Sequence, residues 1–129
     1  KEFGADAILL IAKILSKSEI RKLYKLANKI GLDVLIEIEN ILEAKKIRDI
    51  DAKLIGINNR NLKEQKIDIN KSIKLSKVLN NKIIISESGI TVSNIKKIKN
   101  NSGISSFLIG GSILNNEDKV KYINKLYKA

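Results

Sequence analysis

Short apolar runs alternate with longer amphipathic stretches along this 129-residue chain, and the order repeats five times. The runs are Ala7 to Ile11, Val34 to Ile38, Leu54 to Ile57, Ile83 to Ile85 and Phe107 to Ile109. Being short, β-branched and continuously apolar, they predict strands buried on both faces, as in a parallel sheet covered by helices. The stretches between them predict helices. Ser16 and Glu19 form a capping box, Ile20, Leu23, Ala27 and Ile30 fall on one face, and Gly31 closes the end in a left-handed conformation. A shorter helix covers Ile41 to Ile50. Asn70 is read as the cap of a third, with Ile73 and Leu79 inward, and Thr91 as the cap of a fourth carrying Val92, Ile95 and Ile98. The last, after Asn116, carries Val120, Ile123, Leu126 and Tyr127. Strand centres roughly 20 to 30 residues apart fit βαβ crossovers within one α/β domain spanning residues 1–129. Pairing order is not written in one sequence, so a doubly wound five-stranded sheet stands beside a barrel-like arc.

Composition removes several chemistries. With no Cys and no His, disulfides, thiolate nucleophiles, histidine acid–base catalysis and the common zinc sites are excluded. No apolar run approaches the ~20 residues of a membrane helix, and no secretory signal is visible, so a cytoplasmic protein is expected. The net charge of +11 comes with 25 Ile, 22 Lys and 14 Asn, all residues with A/T-rich codons, and is read first as mutational bias. A nucleic-acid surface is the sharper reading, but with 3 Arg, 4% aromatic residues and Lys spread along the whole chain, no nucleic-acid partner is expected. Met is absent and the chain opens on Lys1-Glu2-Phe3-Gly4, which resembles a helix end entering a turn; a fragment of a longer protein is expected.

Polar residues gather where the strands end. Glu37 interrupts Leu35-Ile36-Glu37-Ile38, Asn58-Asn59-Arg60 follows Ile57, Ser86-Glu87-Ser88-Gly89 follows Ile85, and Gly110-Gly111-Ser112 follows Ile109. Ligands of parallel α/β folds lie outside the carboxyl ends of the strands. A carboxylate among buried Ile residues costs several kcal/mol unless paired or protonated, so Glu37 suits a general acid or base with a raised pKa; an exposed rim carboxylate is the plainer reading. Glu87 has a weaker case, since a loop residue can equally cap a helix. Gly89 with Gly110 and Gly111 offers backbone amides to an anion, against the alternative of tight turns that need positive φ. Arg60 can grip a carboxylate or phosphate through two parallel hydrogen bonds, or simply serve a turn.

These strings, in order and at these separations, resemble indole-3-glycerol-phosphate synthase. The segments carrying the resemblance are Gly4 to Ile11, Val34 to Ile38, Ile55-Gly56-Ile57-Asn58-Asn59-Arg60-Asn61-Leu62, Ser86-Glu87-Ser88-Gly89-Ile90 and Phe107 to Gly110. The resemblance implies a partial (β/α)8 TIM barrel of five parallel strand–helix units, corresponding to barrel strands four to eight. It also implies a decarboxylating lyase of tryptophan biosynthesis that closes an indole ring from 1-(2-carboxyphenylamino)-1-deoxyribulose 5-phosphate, without metal or organic cofactor. Carried over residue by residue, Glu37 resembles the proton-transferring carboxylate and Asn58 the substrate-positioning amide. Arg60 resembles an anion contact, Glu87 and Ser88 a pair that hydrogen-bonds substrate, and Gly89, Gly110 and Gly111 the phosphate cradle. Gly111 departs from the Ser or Glu frequent there in the family; Ser112 is the expected substitute.

The first three strands of such a barrel have no counterpart in this sequence, and with them go the family's lysine general acid and its N-terminal helical extension. Lys13 lies near the rim but nothing in the pattern makes it a replacement. An arc of five strands leaves its inner face open at a cost of about 25 cal/mol per Å2, so marginal stability, self-association or an N-terminal barrel segment as partner is expected, and a catalytically incomplete fragment or phosphate-binding remnant stands as the alternative function.

Overall fold

The computed structural model describes residues 2–129. Its five strands are β1 (Ala7–Ile11), β2 (Asp33–Ile38), β3 (Leu54–Asn58), β4 (Ile83–Glu87) and β5 (Ser106–Leu108). The helices are α1 (Lys17–Lys29), α2 (Ile41–Ile47), α3 (Asn70–Ser76), α4 (Ile95–Ser102), α5 (Gly111–Leu114) and α6 (Lys119–Lys128). The strands pair in the order β1-β2-β3-β4-β5, every pair parallel. A doubly wound sheet reverses its strand order at a switch point. This sheet never does, so its order is that of a barrel arc.

In register, Leu10, Ile36 and Ile55 lie side by side. With Val34 and Ile57 they join Ile20, Ala27, Ala44, Ile47, Leu75, Ile95 and Ile98 from the helices in one buried core. The opposite sheet face holds Leu9, Leu35, Leu54 and Ile83 in one row and Ile11, Glu37, Gly56, Ile85 and Ser106 in the next. Leu9 is 49%, Ile83 57% and Leu108 58% exposed. The expectation of strands buried on both faces is corrected accordingly: helices seal one face, and the other remains half open.

Local chemistry accounts for the helix ends. The Ser16–Glu19 capping box is present, and Leu32 N–H donates to the Ala27 carbonyl (2.9 Å) and Gly31 N–H to the Asn28 carbonyl (3.1 Å) around a left-handed Gly31. That is a Schellman stop. Other boundaries differ from the pattern reading. Helix α2 stops at Ile47 rather than Ile50, and Asn70 is not a cap, because its own N–H donates to Asp68 Oδ1 at 2.9 Å. Thr91 and Val92 lie in a turn ahead of α4, where the Thr91 carbonyl accepts from Ile95 N–H at 3.0 Å. Asp118 caps α6, which buries Leu126 but leaves Val120 and Tyr127 exposed. The short α5 directly after β5 was not foreseen. Of the expected helix end at Lys1–Gly4, Lys1 lies outside the described residues, while Glu2 and Phe3 form a turn. No helix among the described residues is long and apolar enough to cross a membrane.

Candidate active site

All the singled-out residues come from the carboxyl ends of β2 to β5 and the loops that follow. Glu37 and Asn58 are buried at the ends of β2 and β3; Glu87, placed in a loop by the sequence reading, is the last residue of β4 and 5% exposed. Asn58 is the register partner of Glu87, and Gly56 is the partner of Glu37. A Cβ on Gly56 would fall within 3.0 Å of Glu87 Oε1. The Glu87 carboxyl therefore lies over the bare backbone of β3, on the side of Glu37. Oε1 has no hydrogen-bond partner among the described residues. Burial, reinforced by the negative charge of Glu37, pushes the Glu87 carboxyl up to about 7 from the usual 4.5.

A cleft of about 540 Å3 opens beside this pair, lined by Arg60, Ile67, Glu87, Ser88, Gly89, Gly110, Gly111 and Ser112. Six of the eight singled-out residues thus line one cleft, while Glu37 and Asn58, on the adjoining strand ends, do not line it. Asn58 Oδ1 accepts from Arg60 N–H at 2.9 Å and turns the chain after β3. Arg60 Nη1 reaches the Gln65 carbonyl at 3.4 Å, a weak hold on a side chain that borders the cleft.

The glycines differ in their reasons. Gly89 has φ +72°, and a Cβ there would press within 3.0 Å of Ile67 Cγ2. Ser88 before it is also left-handed, at φ 65°. Gly110 has φ −117°, Gly111 is not left-handed, and a Cβ on either meets nothing within 4 Å. The tight-turn explanation therefore serves Gly89 but not Gly110 or Gly111, beside which the space is open. Ser112, the expected substitute in an anion cradle, donates its hydroxyl to the Ile90 carbonyl at 2.7 Å.

Several polar groups have partners that the sequence reading did not assign. Glu39, two residues beyond Glu37, is buried and bonded to the Lys13 ammonium. It also accepts from Leu62 N–H at 3.2 Å and lies 3.8 Å from Lys71 Nζ. Lys13 is thereby committed as a brace between loops. Although burial opposes it, hydrogen bonds from Lys13 and Leu62 and the charges of Lys13 and Lys71 hold Glu39 below the usual carboxylate range. Asn59, Ser72 and Ser86, all 0% exposed, form a second hidden cluster.

The comparisons with known proteins bear on the whole arrangement. The family model for indole-3-glycerol phosphate synthase matches residues 1–126. This chain belongs to the indole-3-glycerol phosphate synthase family. It is 38% identical to the indole-3-glycerol phosphate synthase of Lachnospira eligens, over 100% of this chain and 52% of the relative. With that of Aquifex aeolicus it shares 40% identity over 98% of this chain and 50% of the relative. This synthase-family chain thus spans about half the length of the curated relatives it matches. Among solved structures, the 3-hexulose-6-phosphate synthase of Salmonella typhimurium superposes with a TM-score of 0.83 at 16% identity, covering 98% of this chain and 62% of that one. At that identity the likeness speaks for the fold alone: five parallel strands and their helices as part of an α/β barrel.

Proposed function

We propose that the chain forms strands four to eight of an indole-3-glycerol phosphate synthase barrel. Its substrate is 1-(2-carboxyphenylamino)-1-deoxyribulose 5-phosphate, closed to an indole ring with loss of CO2 and water. The observation that carries this reading is convergence: two buried carboxyl groups and an amide sit at adjoining strand ends, next to a cleft bordered by Arg60 and three glycines.

Each role is the one the family resemblance implies, and placement supports it. Glu37, buried at the end of β2, moves protons in the dehydration stage. Glu87, with its carboxyl near 7, is about half protonated at neutral pH, so it can either donate a hydrogen bond or accept one, which suits a hydroxyl-bearing sugar chain. Asn58 orients the substrate from β3, and Ser88 offers its hydroxyl from the first turn beyond β4. The phosphate lies against the backbone of Gly89, Gly110 and Gly111, and beside Gly110 and Gly111 the open space leaves room for its oxygens. Arg60 supplies the counter-charge at the cleft wall.

On this reading the lysine general acid comes from strands outside this sequence, because the rim lysine Lys13 is held by Glu39. The same strands cover Leu9, Ile83 and Leu108 and pair with the outer edges of β1 and β5. The partners are then a small phosphorylated anthranilate derivative and the N-terminal barrel segment, in a cytoplasmic lyase. Glu37→Gln in the complete enzyme tests the assignment. It should abolish ring closure while leaving the circular dichroism spectrum and melting temperature near those of the parent; undiminished turnover would overturn the role of Glu37.

A further inference from the structure

Behind the cleft, Asn59 carries more hydrogen bonds than filling space requires. It follows Asn58 directly but is fully buried at 0% exposure, where the surrounding core is mostly Ile. Its Nδ2 donates to Ser86 Oγ (3.0 Å), the Glu87 carbonyl (2.9 Å) and the Ser88 carbonyl (3.2 Å). Its Oδ1 accepts from Ser72 Oγ (2.8 Å) and Ser72 N–H (3.3 Å), and the Ser72 and Ser86 hydroxyls meet at 2.7 Å. Its backbone N–H also donates to the Glu87 carbonyl at 2.9 Å. A single side chain ties the end of β3, the end of β4 and the first turn of α3. An apolar residue would fill the space without the desolvation cost of an amide. The amide NH2, with two N–H donors and no charge to desolvate, holds the carbonyls of two successive residues, Glu87 and Ser88.

What it holds is an unfavourable piece of backbone. Ser88 is left-handed without being Gly, a conformation that persists only where neighbours enforce it. The strand must end there, with Glu87 aimed over Gly56 and Ser88 turned to the cleft.

We infer that Asn59 is a positioning residue: its amide, braced by Ser72 and Ser86, fixes the Glu87–Ser88 peptide and with it the direction of the Glu87 carboxyl and the Ser88 turn. The inference rests on the proposed reading, in which those two residues meet the substrate.

The test uses the complete enzyme and two variants, Asn59→Ala and Ser72→Ala. Three quantities are read: melting temperature, kcat/KM, and the pH at which the Glu87 carboxyl titrates by carbon-13 NMR. The charged groups facing Glu87, which are Glu37 from β2 and Arg60 from the loop after β3, remain in both variants. In Asn59→Ala the Glu87 titration should fall by at least one pH unit from about 7 as the carboxyl escapes into water, and kcat/KM should drop at least tenfold. Ser72→Ala keeps the amide and removes only its brace, so both quantities should move the same way by a smaller amount. A folded Asn59→Ala with Glu87 still titrating near 7 and kcat/KM within twofold would overturn the inference. Should Asn59→Ala fail to fold, an unchanged titration in Ser72→Ala would do the same. A parent enzyme that does not close the indole ring would sink the functional reading instead, and the Glu87 titration would still decide the role of Asn59.

Discussion

Glu87→Gln tests the buried carboxyl without reference to substrate. In the folded chain Glu87 titrates near 7, against 4.5 when exposed to water. An acid with a raised folded pKa binds more protons folded than unfolded between those two values. Its contribution to stability is therefore complete below pH 4.5 and is lost progressively as the pH rises to about 7. At about 1.4 kcal/mol for each pH unit between the two values, the loss approaches roughly 3 kcal/mol by pH 8. Glutamine has nearly the same shape, never ionises, and can turn its NH2 toward Glu37. Glu87→Gln and the parent should have similar stabilities at pH 4, and the variant should be more stable by roughly 3 kcal/mol at pH 8. For a domain of this size that is roughly 10 °C in melting temperature. Groups whose pKa is lowered, such as Glu39, lose their contribution as the pH falls, but they do so in both proteins and cancel in the difference. Urea unfolding of the two proteins at half-unit steps from pH 4 to 8 measures it. A difference that stays flat over that range would refute the claim that Glu87 is buried beside a like charge.

Three further outcomes follow from particular contacts. Gly56→Ala puts a methyl group where Glu87 Oε1 lies, so the carboxyl must swing away; turnover of the complete enzyme should fall more than tenfold, with a stability loss of about 1 to 3 kcal/mol in denaturant titrations. Gly89→Ala should destabilise through both the left-handed backbone and the clash with Ile67, and adding Ile67→Ala should recover only the clash, leaving roughly 1 kcal/mol of backbone strain in a double-mutant cycle. Glu39→Gln removes the anion shared by Lys13, Lys71 and Leu62 N–H. It should cost about 1 to 2 kcal/mol at pH 7, and the deficit should vanish on acidification as the parent's own Glu39 takes up its proton below pH 4.5.

The strands were legible because each is a short run rich in Ile, Leu and Val, and the α1 boundaries because the Ser16–Glu19 box and the Gly31 stop are made by neighbours in sequence. Strand order was not, since an arc and a doubly wound sheet ask the same of each strand. The reading of Asn70 failed when a competitor two residues away, Asp68, took the amide first. For α6 the apolar stripe was real, but a helix at the end of the arc has too little sheet to cover it, so only Leu126 is buried. At the site, Glu37 stood out as an acid among Ile residues, whereas Glu87 looked like a loop residue because the strand's apolar run ends at Ile85. Asn59 stood out only as one of the polar run after Ile57, and Glu39 gave no local signal: Asn59 finds its partners on α3 and β4, Glu39 on the loops after β1 and β3. Polar pairing at such separations becomes visible only once the sheet has brought the strand ends together.

On the proposed function, the strand ends converge on one phosphorylated ligand. Titrating the nitrogen-15 labelled protein with 1-(2-carboxyphenylamino)-1-deoxyribulose 5-phosphate and following each backbone amide tests this most directly. Saturable shifts should concentrate at Ser88, Gly89, Gly110 and Gly111, with the Arg60 loop responding alongside. Shifts confined to the lysine-bearing outer faces of α1 and α6, or none at millimolar ligand, would contradict it.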